Sequence, residues 1–348
     1  MRVLITGHLG YIGTIMVPVL QQRGHELVGL DSGLFADCIT GGGAVDIPEL
    51  RIDLRDVQPE HLRGFDAVVH LAALSNDPLG DLDPQHTYDI NHHASVRLAE
   101  LAKQAGVTRF CYSSSCSVYG ASDDSTLTDE TAPMHPVTPY AESKVAVEAD
   151  LHALADDDFS PVSMRNATAY GWSPRLRTDI VLNDLVARAF LTGRITVLSD
   201  GTPWRPIVHI EDISRAFACV LEAPREAIHD QAFNVGAASE NYQIRDLAEI
   251  VVDTVPGSEV DITGETGPDP RSYQVDFGKI ERHVPAFSAV WTARKGAEEL
   301  YEAYQRAGLT EEAFARRFKR MPWLTRQQEH GAIGPDLRPI AGARRDVP

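Results

Sequence analysis

The sequence predicts an α/β protein: a doubly wound parallel sheet with a smaller α/β domain towards the C-terminus. Three observations carry that expectation. Apolar strand-like runs alternate with helical ones through the first half of the 348 residues. The strand runs are continuously apolar, as strands buried on both faces are. A glycine-rich loop follows the first strand directly.

The elements follow in order. "RVLITG" at 2–7 reads as a buried strand. "YIGTIMVPVLQQRG" has helical spacing and stops at Gly24. "HELVGLD" is a second strand and "FDAVVHLAA" a third. One long helix is expected over "TYDINHHASVRLAELAKQAG". "VTRFCYSSS" returns as a strand, "PYAESKVAVEADLHAL" as a helix, and "SPVSMRNA" as a strand. Beyond about residue 166 the rhythm breaks. Loops such as "GWSPRLRTD", "LSDGTPWRP" and "TGETGPDPRS" suggest a smaller domain closing over a ligand. The expected boundaries are 1–165 for the sheet domain, joined by part of 205–236, and 166–335 mainly for the second domain. The Pro/Gly/Arg-rich residues 336–348 are expected to fray.

Composition narrows the functional classes. The chain is 43% hydrophobic and 24% charged, an ordinary globular balance. Its 50 acidic and 32 basic residues give a net charge of −18. Such a surface argues against nucleic acid as a partner. It leaves room for small anions, which a few arginines or a helix N-terminus can hold. Cys38, Cys111, Cys116 and Cys219 form no C-x-x-C pair, so reduced thiols and a cytoplasmic location are expected. No apolar run reaches the roughly 18 residues of a membrane helix, so no membrane partner is expected. No metal-ligand pattern is present.

The loop "TGHLGYIG" carries Gly7, Gly10 and Gly13, with Tyr11 and Ile12 between them. Glycines at this spacing permit a tight turn, close approach of a pyrophosphate, and close helix–strand packing. The pyrophosphate would lie at the helix N-terminus, where free N–H groups favour anions. The second strand ends at Asp31, which can accept hydrogen bonds from both ribose hydroxyls of NAD and would repel the extra phosphate of NADP. Asp53, followed by Leu54, would lie near the adenine edge; an acid on a surface loop is the alternative.

Tyr140 and Lys144 stand four apart in a helical stretch and so share one face. A cation beside a phenol favours the phenolate. The pair can therefore act as a base near neutral pH, although Tyr-x-x-x-Lys also arises by chance.

Together these residues resemble the extended short-chain dehydrogenase/reductases, in their nucleotide-sugar epimerase and dehydratase branch. The likeness spans roughly 1–320. It rests on the glycine loop, "HLAA" at 70–73, "SSSCSVYG" at 113–120, Tyr140/Lys144, "RNATAYG" at 165–171, "WRPIVHIEDISRAF" at 204–217 and "FNVG" at 233–236. The resemblance implies a Rossmann sheet and NAD. It implies Tyr140 as acid/base, Lys144 lowering its pKa and binding the nicotinamide ribose, and Ser115 bonding the sugar oxygen being oxidised. Leu71, Ala72 and Ala73 would line the cofactor, and Asn91 would steady the sheet beside it or serve structure alone. Asn183 would hold the nucleotide diphosphate of the substrate, with Arg205 and Arg271 clamping it; surface salt bridges are the alternative for the arginines. A nucleotide-diphosphate sugar is the implied partner, and a homodimer packed through helices near 86–105 and 140–155 the implied assembly.

The sequence also departs from that pattern. The 4,6-dehydratases carry Asp-Glu where this chain has Cys116 and Ser117. Thr168 occupies the usual place of a substrate-facing Asn, and Pro206 follows Arg205 in place of Asp. Ser75 and Asn76, in an unusual loop, are candidates for the hexose. A 4-epimerase with tightly held NAD is therefore expected, working through a transient 4-keto sugar. The alternative is a 4-ketoreductase with a dissociable NADH. A third class, an NAD-sensing regulator without catalysis, usually loses the Tyr or Lys that are both present here.

Overall fold

The computed structural model describes residues 1–41, 46–75, 83–121, 127–265 and 271–347. In chain order the strands are β1 Arg2–Thr6, β2 Glu26–Leu30, β3 Glu49–Leu50, β4 Ala67–His70, β5 Arg109–Ser115, β6 Leu127–Thr128 and β7 Ser160–Asn166. They continue as β8 Thr168–Tyr170, β9 Arg194–Val197, β10 Trp204–His209, β11 Gln231–Val235, β12 Asn241–Gln243, β13 Glu259–Ile262 and β14 Gln274–Val275.

Seven of these form one sheet in the order β11-β7-β5-β4-β1-β2-β3. Every pairing in it is parallel. From β1 the chain winds outward through β2 and β3. It then returns to β4 on the other side of β1 and continues through β5, β7 and β11. The direction reverses at β1/β4, and such a switch point opens a crevice at the carboxyl ends of the strands. The glycine loop, Leu71–Ala73 and Ser115 all leave strands at that end.

Alternation along the strands builds two cores. Val3 and Ile5 of β1 face a cluster with Met16, Val17, Phe217 and Val220, supplied by the Gly13–Gln22 and Ile210–Glu222 helices. Leu4 faces the opposite cluster with Leu98, Ala102, Val147 and Leu151, supplied by the Ala94–Gln104 and Pro139–Leu154 helices. Helices thus cover both faces, which is why the strands read as unbroken apolar runs. A separate core joins Leu182, Val186, Leu247, Val251, Leu300 and Tyr304 beside the three-stranded β12-β10-β8 sheet. The late strand β11 completes the main sheet beside β7.

Two local expectations need correction. The long helix splits: Pro84–Thr87 and Ala94–Gln104 flank a π turn at Tyr88–His93. The segment expected to fray, 336–348, packs instead as far as it is described. Leu337 buries in a cluster with Leu34, Cys38, Leu74, Trp323, Leu324 and Ile333. Arg338 pairs with Asp56, and Arg345 Nη1 donates to Gly33 O at 2.7 Å and to Asp37 Oδ2 at 2.9 Å. Burial of Leu337 and these cross-chain bonds offset the disorder its composition suggested.

Candidate active site

A cleft of about 650 Å³ opens at the switch point. The glycine loop forms one wall. Gly7 adopts φ +74°, and a Cβ there would lie 2.8 Å from Ala72 N. A Cβ on Gly13 would stand 2.3 Å from Gly7 O. Both contacts are far inside van der Waals distance, so only glycine lets the loop close this tightly. Gly10, Tyr11, Ile12, Leu71, Ala72 and Ala73 line the same wall. Asp31 caps it: Oδ2 accepts from Leu9 N at 3.2 Å and Oδ1 from Gly33 N at 2.7 Å. Asp53 and Leu54 also line the cleft. Burial opposes ionisation of Asp53, but hydrogen bonds from Arg55 outweigh it and hold the carboxyl below its ordinary range.

The reacting end is built from β5, β7 and the Pro139–Leu154 helix. Thr138 caps that helix by accepting from Ala141 N at 3.2 Å, and Pro139 opens it. Tyr140 and Lys144 therefore fall in its first turns, on the face towards β5. Lys144 Nζ donates to Ser113 O at 2.6 Å and lies 5.4 Å from the centre of the Tyr140 ring. It is 3% exposed, and that burial pushes its pKa down to about 7, with Glu148 pulling the other way. Ser115, at the end of β5, caps the short turn Cys116–Tyr119 and accepts from Ser117 N at 3.1 Å. Ser115 stands beside Asn166 in the parallel register of β5 and β7. Ser115, Tyr140 and Lys144 all line the cleft.

A buried polar network backs this end. Arg165 Nη2 pairs with Glu148 at 2.7 Å and Arg165 Nη1 donates to Tyr119 Oη at 3.0 Å, while Ser114 donates to Glu148. Burial together with nearby acids pushes the Cys116 thiol up, against the pull of Arg165, so it stays protonated and packs.

The expected substrate residues divide. Thr168, Ser75, Arg205 and Arg271 line the cleft. Arg205 Nη1 donates to Trp204 O at 2.8 Å and also to Arg271 O, which brings the two arginines together. Asn183 does not join them. It is fully buried. Its Oδ1 accepts from Gly171 N at 3.1 Å, and Nδ2 donates to Arg177 O at 2.9 Å and Tyr11 Oη at 3.2 Å. The helix turns it inward, where it pins the glycine loop, and Asp179, Ile180 and Val181 face the cleft in its place. Asn91, on the π turn, likewise stands outside the lining. Its amide pairs with Leu74 N and O at 2.7 and 2.9 Å and fixes the loop behind Ala73. Asn76 lies outside the described residues.

The cleft also contains residues the sequence reading missed. Arg177 bonds Asp179 at 2.9 Å and Ser75 Oγ at 3.0 Å. Arg320 and Leu337 reach in from the C-terminal segment, and Leu34 and Phe35 from the turn after β2. Asn166 Oδ1 and Ser117 Oγ are buried lining atoms without a hydrogen-bond partner. The "SPRLRTD" loop was a visible signal for Arg177. Arg320 had none, because its neighbours lie far away in sequence.

A family model, the NAD dependent epimerase/dehydratase family, matches residues 3–236. The chain belongs to that family. The UDP-glucose 4-epimerase of Mycolicibacterium smegmatis is 33% identical over 251 residues, covering 69% of this chain and 78% of the relative. Among solved structures, the NAD-bound UDP-glucose 4-epimerase of Thermus thermophilus superposes with a TM-score of 0.73 at 26% identity, covering 88% of this chain and 99% of that one. The dTDP-glucose 4,6-dehydratase DesIV of Streptomyces venezuelae, with NAD and TYD bound, gives 0.76 at 27%, covering 90% and 100%. NAD is the cofactor of this epimerase/dehydratase family, and the glycine cradle and Asp31 fit it. Among the described residues no helix is long and apolar enough to cross a membrane.

Proposed function

We propose that the protein is an NAD-dependent nucleotide-sugar 4-epimerase. One observation carries the reading. Ser115, Tyr140 and Lys144 line one cleft, and the two positions after Ser115 hold a cysteine and a serine. Among the described residues the carboxylates lining the cleft are Asp31, Asp53 and Asp179. Asp31 caps the glycine loop, and Asp53 and Asp179 are held by arginines. Each is thus engaged by this chain's own groups, and the Asp-Glu pair that the 4,6-dehydratases carry after the Ser is replaced by Cys116 and Ser117.

The roles follow from chemistry. Tyr140 takes the proton from the sugar 4-hydroxyl, because hydride can leave a C–H only as the neighbouring O–H is lost. In its protonated form Lys144 places positive charge next to the phenol and favours its ionised form. Ser115 keeps the sugar oxygen within reach of Tyr140. NAD, held by the glycine loop and Asp31, would supply the hydride acceptor and, for the other face of the 4-keto sugar, the hydride donor. Tyr140 then returns the proton, so mass and redox state are unchanged overall. Arg205 and Arg271 clamp the substrate diphosphate, a task suited to guanidinium. Thr168 and Ser75 face the sugar. Relatives named UDP-glucose 4-epimerase support a UDP-hexose. We assign a cytoplasmic homodimer built on the helical segments near 86–105 and 140–155; light scattering showing a monomer would refute the dimer.

The decisive experiment uses purified enzyme with no added cofactor and a panel of UDP-, TDP-, GDP- and CDP-hexoses and uronates, followed by NMR and mass spectrometry. A new isomer of unchanged mass is expected. Product appearing only when NADH reduces a 4-keto sugar would replace the epimerase by a ketoreductase.

A further inference from the structure

The C-terminal segment leaves the second domain and crosses to the cofactor side of the cleft. Trp323, Leu324, Ile333 and Leu337 bury against Leu34, Cys38 and Leu74. Polar bonds pin it along its length. Arg317 Nε donates to Asp37 O at 3.0 Å, Arg55 Nη1 to Asp336 O at 2.9 Å, and Arg345 Nη1 to Leu34 O at 3.1 Å.

Arg320 begins the Arg320–Glu329 helix, and its N–H donates to Asp179 Oδ2 at 3.2 Å. Its guanidinium lies 4.7 Å from the centre of the Phe35 ring. It lines the cleft, yet it is 4% exposed and its Nη1 makes no hydrogen bond. Arg175, 9% exposed, also has an Nη1 without a partner. Asp179 serves two arginines here: its carboxylate pairs with Arg177 at 2.9 Å and also takes the Arg320 N–H, so one negative charge faces two guanidinium groups. Buried guanidinium groups with open donors are costly unless an anion completes them. The glycine loop is an anion site in the same cleft. Ser173 Oγ donates to Tyr11 O at 2.9 Å and ties the arginine loop to it.

We propose that Arg320 is a diphosphate ligand delivered by the C-terminal segment, and that the diphosphate is that of the dinucleotide. The sugar nucleotide carries the same group. The position of Arg320 favours the cofactor: it stacks on Phe35, next to Leu34 and Leu337 at the Asp31 end. The arginines assigned to the sugar nucleotide, Arg205 and Arg271, belong to β10 and its neighbouring loop. The segment then acts as a clasp, and NAD cannot leave without disturbing it. The inference concerns cofactor holding, and it stands whether the sugar chemistry is epimerisation or reduction.

The test compares wild type with Arg320→Met and Arg320→Lys, each stripped of cofactor and checked for folding by circular dichroism. Calorimetric titrations use NAD, UDP and adenosine. Arg320→Met should weaken NAD about tenfold or more, as loss of a charge-assisted bond does. UDP should bind within twofold of wild type, and so should adenosine, which has no diphosphate. Unchanged NAD affinity overturns the proposal. An equal loss for adenosine makes the residue structural and also overturns it. A loss confined to UDP transfers Arg320 to the sugar nucleotide and refutes the cofactor assignment. If Arg320→Met does not fold, Arg320→Lys decides. It should bind NAD several-fold more weakly, and wild-type NAD affinity would refute the idea.

Discussion

Lys144 Nζ is bonded to the carbonyl of Ser113 at 2.6 Å, and this contact ties the Pro139–Leu154 helix to β5 two residues before Ser115. The catalytic helix and the strand bearing Ser115 are thereby held in register. Tyr140, one turn before Lys144, inherits that placement. Tyr140→Phe should therefore leave the fold and bound NAD intact. Turnover should fall roughly 10²- to 10⁴-fold, the span of a lost general acid/base. Coupled assays alongside NAD released on denaturation would check both halves. A variant retaining full turnover would remove Tyr140 from the chemistry.

Lys144 gives a pH signature in the cofactor-free protein. Burial lowers its folded pKa to about 7, against the ordinary 10.5 expected when unfolded. Between those values the unfolded chain binds more protons than the folded one. Stability therefore rises with pH across that window, and the cost of a buried charge is fully felt below it. From pH 7 to 9 the gain is about 2 kcal/mol, since one unit is worth about 1.4 kcal/mol. Lys144→Met should lack this slope. Thermal melts of both proteins across that range would show it, and parallel curves would contradict it.

The cradle can be tested by crowding it. A methyl at residue 13 would sit 2.3 Å from Gly7 O and 2.6 Å from His8 Cα, both backbone atoms that cannot swing aside. Gly13→Ala should lower stability by about 3 kcal/mol or more, the scale of severe overpacking, and should abolish NAD retention. Chemical denaturation and cofactor content would measure the two effects. A mutant as stable as wild type would mean the loop relaxes freely.

Much of this architecture was legible because it is local. The glycine spacing, Asp31 at the end of β2, and Tyr140/Lys144 one turn apart are short-range patterns, and the Thr138–Pro139 start fixes the helix where the sequence placed it. What was missed depends on contacts between distant segments. Asn183 fits a substrate-facing pattern, but its direction is set by packing against Tyr11 and Gly171. Asn91 falls on a π turn that helical periodicity does not announce. The Pro/Gly/Arg composition of 336–348 reads as disorder, because its partners Asp37, Asp53, Asp56 and Leu34 lie near the other end of the chain.

Cofactor choice should hinge on Asp31. Its carboxylate stands in the cleft at the end of β2, where a 2′-phosphate would meet like charge. Asp31→Asn keeps one oxygen for the loop amides and removes the charge. The preference for NAD over NADP should narrow by about tenfold, equivalent to about 1.4 kcal/mol. Fluorescence titration with both dinucleotides gives the ratio, and an unaltered ratio would place the discrimination elsewhere.

The clasp also has a temporal side. Leu34, Cys38 and Leu74 emerge from the ribosome early, whereas Trp323, Leu324, Ile333 and Leu337, which cover them, are made last. At the usual 5–20 residues per second, that separation is roughly 15 to 60 seconds. During this interval the nascent sheet domain shows water an apolar patch that the finished protein hides. Such a patch invites aggregation or a chaperone. The final stretch of translation thus both closes the cleft and ends the period in which the nascent chain is vulnerable.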